Sequence, residues 1–202
     1  MNLDSSIEQI LQQPIPEERR ALLQVLIEYV QAKVDAKEEI ILNFICTHNS
    51  RRSQFAQIWA TVASHAFEIP TTCLSGGVEV TEFNSRAVDS LKRMGFGITS
   101  EGDKNPKYSV DYALKAGKLV MFSKLFDDEV NQYPKFAAVM TCDHADENCP
   151  FIPGTEKRIS VNYEDPKAFD GFDQEAEMYD QRSVQIASEM FYVFSKINKN
   201  VN

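Results

Sequence analysis

Eight consecutive residues carry the densest chemistry in the chain, because they combine a nucleophile, two cations and several hydroxyl groups. The segment is Cys46-Thr47-His48-Asn49-Ser50-Arg51-Arg52-Ser53. It follows an apolar run from Ile40 to Ile45 that predicts a buried strand, and it runs into a helix predicted from about Arg52 to Ala66. Free backbone N–H groups converge at such a strand-to-helix junction and can cradle a tetrahedral oxyanion.

Cys46 is predicted to lie at the base of this loop. A helix N-terminus and a nearby arginine both favour the thiolate, which is the nucleophilic form of cysteine. Arg52 follows six residues later, and its planar guanidinium can bind two oxygens of an anion. Ser53 can donate a hydrogen bond to the sulfur. We therefore predict that residues 47–53 bind an oxyanion that Cys46 attacks, with an inert buried cysteine as the alternative.

Two further cysteines, Cys142 and Cys149, follow a predicted buried strand from Phe136 to Thr141. Three thiols can relay a disulfide, because Cys142 can attack an oxidised Cys46 and Cys149 can then attack Cys142. The alternatives are two structural thiols or a zinc site that uses His144. Zinc sites typically pair their ligands at closer spacing, so we predict no metal.

Asp165 is the remaining candidate for chemistry. Pro166 follows it and restricts the backbone, which suits a general acid held over a bound anion. Asp-Pro pairs are common in turns, so this prediction depends on the other two features.

The composition around these residues is that of an ordinary globular protein. The chain has 202 residues, is 43% hydrophobic and has a net charge of −9, the wrong sign for a general binder of nucleic acid or anionic membranes. Its apolar runs are too short to span a bilayer, and its acidic N-terminus lacks the pattern of a signal peptide. We expect a cytoplasmic protein with reduced cysteines and no membrane or nucleic-acid partner.

The first 38 residues predict a separate helical extension. Ser5 and Glu8 form a capping-box pattern, and a second helix is predicted to open at Pro16. Apolar residues recur along this second helix at helical spacing, from Leu22 to Val34. This stripe must be buried, either on the chain's own domain or in a homodimer.

Residues 39–202 predict an α/β domain, because short β-type runs alternate with amphipathic stretches. Besides the elements above, the pattern predicts a strand at 71–74, a helix from Asn84 to Gly95, a hairpin over 108–123 with a turn at Lys115-Ala116-Gly117, and a last helix from about Glu175 to Ile197.

With these features in place, the chain from about Glu39 to Ile197 resembles the low-molecular-weight protein tyrosine phosphatase fold, and most closely its thioredoxin-coupled arsenate reductase branch. The resemblance implies a four-stranded parallel sheet flanked by helices, to which this chain adds the N-terminal helical extension and a hairpin insertion within residues 104–134. It rests on Cys46-Thr47, Asn49-Ser50, Arg52-Ser53-Gln54, Ser75-Gly76-Gly77-Val78-Glu79, Asn84-Ser85-Arg86-Ala87-Val88, Cys142, Cys149-Pro150 and Asp165-Pro166.

The resemblance implies a role for each candidate. Cys46 is the nucleophile, Arg52 clamps the oxyanion, and Asp165 protonates the departing oxygen. In the reductase branch, Cys142 attacks Cys46 to release arsenite, and Cys149 closes a Cys142–Cys149 disulfide that thioredoxin reduces. No cofactor is implied. A phosphatase that hydrolyses a phosphocysteine leaves the two later cysteines without a task, and a non-catalytic oxyanion sensor is a third alternative.

Four positions depart from the family pattern or match none of it. His48 stands where the family has glycine, and histidine is among the residues that tolerate positive φ. Arg51 replaces a usual cysteine and adds positive charge beside the site. Gln57 replaces a glutamate that supports a potassium site in some reductases, so we predict no such ion. Cys73 matches no relay position and is expected to be a buried strand residue.

Overall fold

The computed structural model describes residues 2–112, 117–148 and 151–199. Short 3₁₀ turns lie at Glu129–Asn131 and Pro166–Phe169. The helices and strands in chain order are α1 (Leu3–Leu11), α2 (Glu17–Ala36), β1 (Ile40–Cys46), α3 (Arg52–Ala66), β2 (Thr71–Gly77), α4 (Ser85–Arg93), β3 (Gly97–Glu101), β4 (Lys107–Asp111), β5 (Lys118–Met121), β6 (Phe136–Met140), α5 (Asp143–Asn148), β7 (Thr155–Ser160) and α6 (Glu175–Ser195).

The main sheet confirms the predicted four-stranded parallel architecture. Its strand order is β2-β1-β6-β7, and every pair in it is parallel. Helices cover it, with α3 packed on β1, β2 and α6, and α5 packed on β1 and β6. β1 and β6 are buried at every residue, which explains their continuous apolar sequence. The edge strand β7 was not predicted, because charged residues interrupt it and most of it is not buried.

A second sheet is antiparallel and contains the predicted hairpin. β4 pairs with β5, and β3 adds a third strand beside β4. β3 was not predicted because none of its residues is buried and its sequence does not alternate between apolar and polar types. Of the predicted turn, Lys115 and Ala116 lie outside the described residues.

The N-terminal helices begin close to the predicted positions. α2 follows Pro16 as predicted, with Glu17 and Glu18 in its first turn. The capping box was wrong, because α1 already begins at Leu3, where the side chain of Asn2 accepts a hydrogen bond from the Ser5 backbone N–H at 2.9 Å. Within the described residues, no helix has both the length and the apolar character needed to cross a bilayer.

The apolar stripe of α2 packs inside its own chain. Its buried members are Leu23, Leu26, Ile27 and Val30, and the helix contacts α6, β7 and β1. Of the two alternatives, packing on the chain's own domain is therefore the one observed, and the stripe gives no reason to expect a homodimer.

A buried ion pair joins α2 to α6. The Arg19 guanidinium donates to both oxygens of Glu189, from Nε at 2.8 Å and from Nη2 at 2.6 Å. Glu189 is only 1% exposed, and it also accepts a hydrogen bond from the Tyr163 hydroxyl at 2.8 Å. Arg19 further donates to the Asn162 carbonyl and lies over the Tyr163 ring. The extension therefore holds the chain segment that follows β7.

Replacing Arg19 with alanine is expected to lower the free energy of unfolding by about 3 kcal/mol, because Glu189 is left buried without its cation. The measurement is urea denaturation followed by circular dichroism. The matched control is Arg20→Ala, because Arg20 is half exposed and forms only an exposed pair with Glu17, so its loss is expected to stay within about 0.5 kcal/mol. Equal losses of unfolding free energy in the two variants would show that the buried pair stabilises the fold no more than an exposed pair does.

Candidate active site

The loop of residues 46–53 lies at the carboxyl-end edge of the main sheet, between β1 and α3. Cys46 ends β1 and is 3% exposed. Gly77 ends the neighbouring strand, beside Cys46. A side chain at Gly77 would place a Cβ 2.7 Å from the Asn49 nitrogen and 2.9 Å from the His48 carbonyl carbon. Glycine is therefore required here, so that β2 can approach the loop backbone.

Asn49 shapes the loop. Its φ of 45° makes it the loop's left-handed residue, whereas His48 at the family's glycine position does not have a positive φ. Asparagine adopts this conformation more readily than most residues. Its side-chain nitrogen donates to Ser53 Oγ at 2.8 Å and to Ser75 Oγ at 2.9 Å. The Asn49 side chain thus joins the loop to the first turn of α3 and to β2.

The hydrogen bonds around Cys46 have a defined direction. The Asn49 amide can only donate to Ser53, so the Ser53 oxygen accepts and its own proton is available for the Cys46 sulfur, 3.1 Å away. Ser75 similarly accepts from Asn49 and donates to Gln57 Oε1 at 2.6 Å. This neutral network presents a hydrogen-bond donor, the Ser53 hydroxyl, to the Cys46 sulfur.

Arg52 lies in the first turn of α3 and is held by the segment that follows β7. Its Nη1 donates to the Tyr163 carbonyl at 3.0 Å, and its Nη2 lies 2.8 Å from Asp165 Oδ2. The Arg52 Nε is buried and has no hydrogen-bond partner. A buried donor without a partner costs free energy, so this atom is suited to an additional acceptor.

Arg51 brings a second guanidinium to the same carboxylate. Its Nε lies 2.7 Å from Asp165 Oδ1, and its Nη2 donates to Oδ2 at 3.3 Å. Burial on its own opposes ionisation of Asp165, but the hydrogen bond from Arg51 and the charges of Arg52 and Arg51 outweigh it and hold its pKa below the usual value. Asp165 is therefore a carboxylate between two cations.

Cys142 lies beside the loop. It is 1% exposed and belongs to the same buried cluster as Cys46. Its sulfur is 3.5 Å from Thr47 Oγ1 and accepts a hydrogen bond from the Ala145 backbone N–H at 3.4 Å. Thr47 Oγ1 is also 3.2 Å from His144 Nδ1. Cys149, the third predicted relay residue, lies outside the described residues.

Other predicted loop side chains point toward neighbouring segments. Ser50 donates to the Glu82 carbonyl at 2.7 Å, and His48 pairs with Glu79 at 3.3 Å. Cys73 lies buried in β2 as expected, and burial raises the pKa of its thiol to about 12. Across the described ranges, no cluster of three or more His, Cys, Asp or Glu side chains has an arrangement suited to a metal ion.

The segment after β5 supports the loop, and sequence reasoning did not identify it. The Ser123 hydroxyl donates to the His48 carbonyl at 2.8 Å, and the Lys124 backbone N–H donates to Asn49 Oδ1 at 3.0 Å. Asn105 in turn holds Ser123 through two hydrogen bonds between its side-chain amide and the Ser123 backbone. These contacts join residues far apart in the chain, so no local pattern signals them.

Comparison with known proteins gives one group of relatives by sequence and another by fold. The chain is 27% identical to arsenate reductase 2 of Staphylococcus epidermidis over 124 residues, which is 61% of this chain and 76% of the relative. It is 26% identical to an arsenate reductase of Halalkalibacterium halodurans over 136 residues, covering 67% and 80% of the two chains. No protein-family model matches the chain.

Among solved structures, the low-molecular-weight protein tyrosine phosphatase from T. tengcongensis superposes with a TM-score of 0.50 and 16% identity, covering 78% of this chain and 97% of that one. Both groups of relatives are enzymes. The parallel sheet and its helices agree with this likeness, as the sequence predicted. The chain therefore has the fold of the low-molecular-weight protein tyrosine phosphatases, and its sequence is similar to those of arsenate reductases.

Proposed function

We propose that this protein reduces arsenate to arsenite, with Cys46 as the nucleophile and Cys142 and Cys149 as a disulfide relay regenerated by thioredoxin. The observation that carries the proposal is the position of Cys142, whose sulfur contacts Thr47, the residue after Cys46. A phosphatase needs no second thiol at this place. The similarity to arsenate reductases supports the choice of substrate.

The first step joins sulfur to arsenic. The Cys46 thiolate attacks arsenate, a bond forms between sulfur and arsenic, and one As–OH bond breaks after its oxygen accepts a proton and leaves as water. The backbone N–H groups of residues 47–53 and the unpartnered Nε of Arg52 are the donors we assign to the remaining oxygens.

Asp165 is the acid that we assign to the departing oxygen. In the free protein it is ionised, because Arg51 and Arg52 both pair with it. A bound arsenate dianion would compete for the same two guanidinium groups, and each bond that Asp165 loses to it raises the pKa of the carboxyl group. Substrate binding would thereby convert Asp165 from an ion-pair partner into a proton donor.

The next two steps move the oxidation outward. The Cys142 thiolate attacks the Cys46 sulfur, the sulfur–arsenic bond breaks, and its electron pair stays on arsenic, which leaves as As(III). Cys149 then attacks Cys142, which forms the Cys142–Cys149 disulfide and returns Cys46 as a thiolate. The dithiol of thioredoxin supplies the two electrons that reduce this disulfide.

We assign this chemistry to residues 39–202 and treat residues 1–38 as an added helical layer. The layer has a positioning role, because Arg19 pairs with Glu189, and Glu189 holds Tyr163. The Tyr163 carbonyl in turn accepts a hydrogen bond from Arg52.

A phosphatase acting on phosphate monoesters is the second candidate function. Cys46, Arg52 and Asp165 would be sufficient for it, and the T. tengcongensis protein that shares this fold is a low-molecular-weight protein tyrosine phosphatase. Water activated by Asp165 would then hydrolyse a phosphocysteine. Turnover of an aryl phosphate that survives Cys142→Ser and vanishes in Cys46→Ser would favour this candidate.

One turnover with arsenate and no reductant is expected to produce a Cys142–Cys149 disulfide, detected by mass spectrometry of peptides. Cys46→Ser is expected to abolish it, because no arsenic adduct forms. Cys142→Ser is expected to stop the reaction at the adduct. Cys73→Ala is the matched control and is expected to behave like the parent, because Cys73 lies outside the relay. Arsenite release with the resulting disulfide on a pair of cysteines other than Cys142 and Cys149 would refute the relay.

Arg51→Ala is expected to raise the pKa of Asp165, because it removes the bidentate hydrogen bonds and one positive charge. Carboxyl-carbon NMR titration measures this shift, and Arg86→Ala, which pairs with Glu175 and Asp170 instead, is the control. In the parent, the Arg51–Asp165 pair contributes fully to the free energy of unfolding above about pH 3.9, which is the ordinary Asp pKa. This contribution is lost as the pH falls through the lower pKa that Asp165 has in the folded protein. An unchanged Asp165 titration in Arg51→Ala would contradict the assigned pairing.

A further inference from the structure

One histidine lies at the end of a hydrogen-bonded series that starts at Cys142. The series runs from the Cys142 sulfur to Thr47 Oγ1 over 3.5 Å, and from Thr47 Oγ1 to His144 Nδ1 over 3.2 Å. Cys142 and Thr47 are both buried, whereas His144 is exposed. The series therefore connects a buried thiol to the solvent.

The donors and acceptors of this series fit one direction of proton movement. A threonine hydroxyl has one proton and two lone pairs, so it can accept from the Cys142 thiol while it donates to His144 Nδ1. A neutral imidazole that carries its proton on Nε2 presents Nδ1 as an acceptor. The Ala145 N–H, which donates to the Cys142 sulfur, would stabilise the thiolate left behind.

Charged groups surround His144, and their observed partners are elsewhere. Asp143, Asp146 and Glu147 share its helix, α5. Asp146 pairs with Arg158 of β7, and the Asn162 side chain donates to Asp143. On the loop side, the Thr47 hydroxyl lies between the imidazole and the Cys142 sulfur, and the cations Arg51 and Arg52 pair with Asp165. Within the described residues, the hydrogen bond observed for the His144 ring is therefore the one shared with Thr47.

We infer that His144 is the proton acceptor that activates Cys142 for its attack on Cys46, with the Thr47 hydroxyl as the intermediate carrier. This inference rests on the proposed function, since it concerns the second step of that reaction. The Cys142 proton moves to Thr47 Oγ1, and the Thr47 proton moves to His144 Nδ1. The thiolate forms the bond to Cys46 while the sulfur–arsenic bond breaks, and the imidazolium later loses a proton to water.

The inference explains why a buried thiol can react at neutral pH. An unassisted cysteine is mostly protonated at pH 7, because its ordinary pKa is about 8.5, and the Cys142 sulfur is shielded from water. An imidazole titrates near neutral pH and can exchange its proton with solvent. From the sequence we considered His144 only as a possible zinc ligand, because only the folded chain brings its ring close to Thr47.

The test measures the reactivity of Cys142 without arsenate. In the full-length chain carrying Cys46→Ser, Cys73→Ala and Cys149→Ser, alkylation of Cys142 by iodoacetamide is followed by mass spectrometry between pH 6 and pH 10. His144→Gln is expected to slow alkylation about tenfold at pH 7, and its difference from the parent is expected to shrink as the pH rises toward 10, because hydroxide then removes the thiol proton without the histidine. Equal rates at pH 7 would overturn the inference.

Further variants separate a proton carrier from a merely structural contact. Thr47→Val is expected to reproduce the loss at pH 7, whereas Thr47→Ser keeps the hydroxyl group and is expected to restore the rate. His65→Gln is the matched control, because His65 is an exposed histidine on α3 whose ring packs against Tyr112. A loss in His65→Gln equal to that in His144→Gln would also overturn the inference.

The alkylation result does not depend on the substrate. If His144 activates Cys142 but no disulfide follows a turnover with arsenate, the proposed function fails and the proton path stands. If the disulfide forms at the parent rate in His144→Gln at pH 7, the proton path fails and the proposed function stands.

Discussion

The paired binding of Asp165 by Arg51 and Arg52 is the interaction on which the geometry of the site depends. It joins the first turn of α3 to the segment after β7, which lies 114 residues later in the chain. Arg51 is buried there and Arg52 is partly buried, and without a carboxylate their two guanidinium groups would repel each other in a region of low dielectric. The same pairing fixes the Arg52 guanidinium at the end of the loop where α3 begins, and the Arg52 Nε has no hydrogen-bond partner there.

The position of that carboxylate depends on packing outside the loop. Tyr163, two residues before Asp165, is held by Glu189 of α6, and Glu189 is neutralised by Arg19 of α2. On the opposite side, the Ser123 hydroxyl and the Lys124 backbone N–H hold the backbone of His48 and the side chain of Asn49. The N-terminal helices and the segment that follows the antiparallel sheet are therefore both connected by hydrogen bonds to the loop of residues 46–53.

The elements that the sequence predicted well are those whose environment is uniform along their length. β1 and β6 are buried on both faces, so their apolar runs identify them, and α3 begins within the loop that defines the site. β3 and β7 were missed because they lie at sheet edges, where most of their residues are not buried and their sequences show no regular apolar alternation. The left-handed residue was not identified either: the family's glycine position is His48, whereas Asn49 is the residue with the positive φ.

By itself the sequence determined the fold class and the position of Cys46 between a strand and a helix, and it predicted which residues would bind an oxyanion. These properties follow from local spacing, because hydrophobic periodicity and the strand-to-helix junction involve neighbours in the chain. Only the tertiary structure decided which groups meet. It paired Asp165 with two arginines, placed Thr47 between Cys142 and His144, and buried the α2 stripe against α6 instead of a second copy. Such contacts join residues that are far apart in the chain. Their free energy depends on burial and on interatomic distance, and neither can be read from the amino-acid sequence.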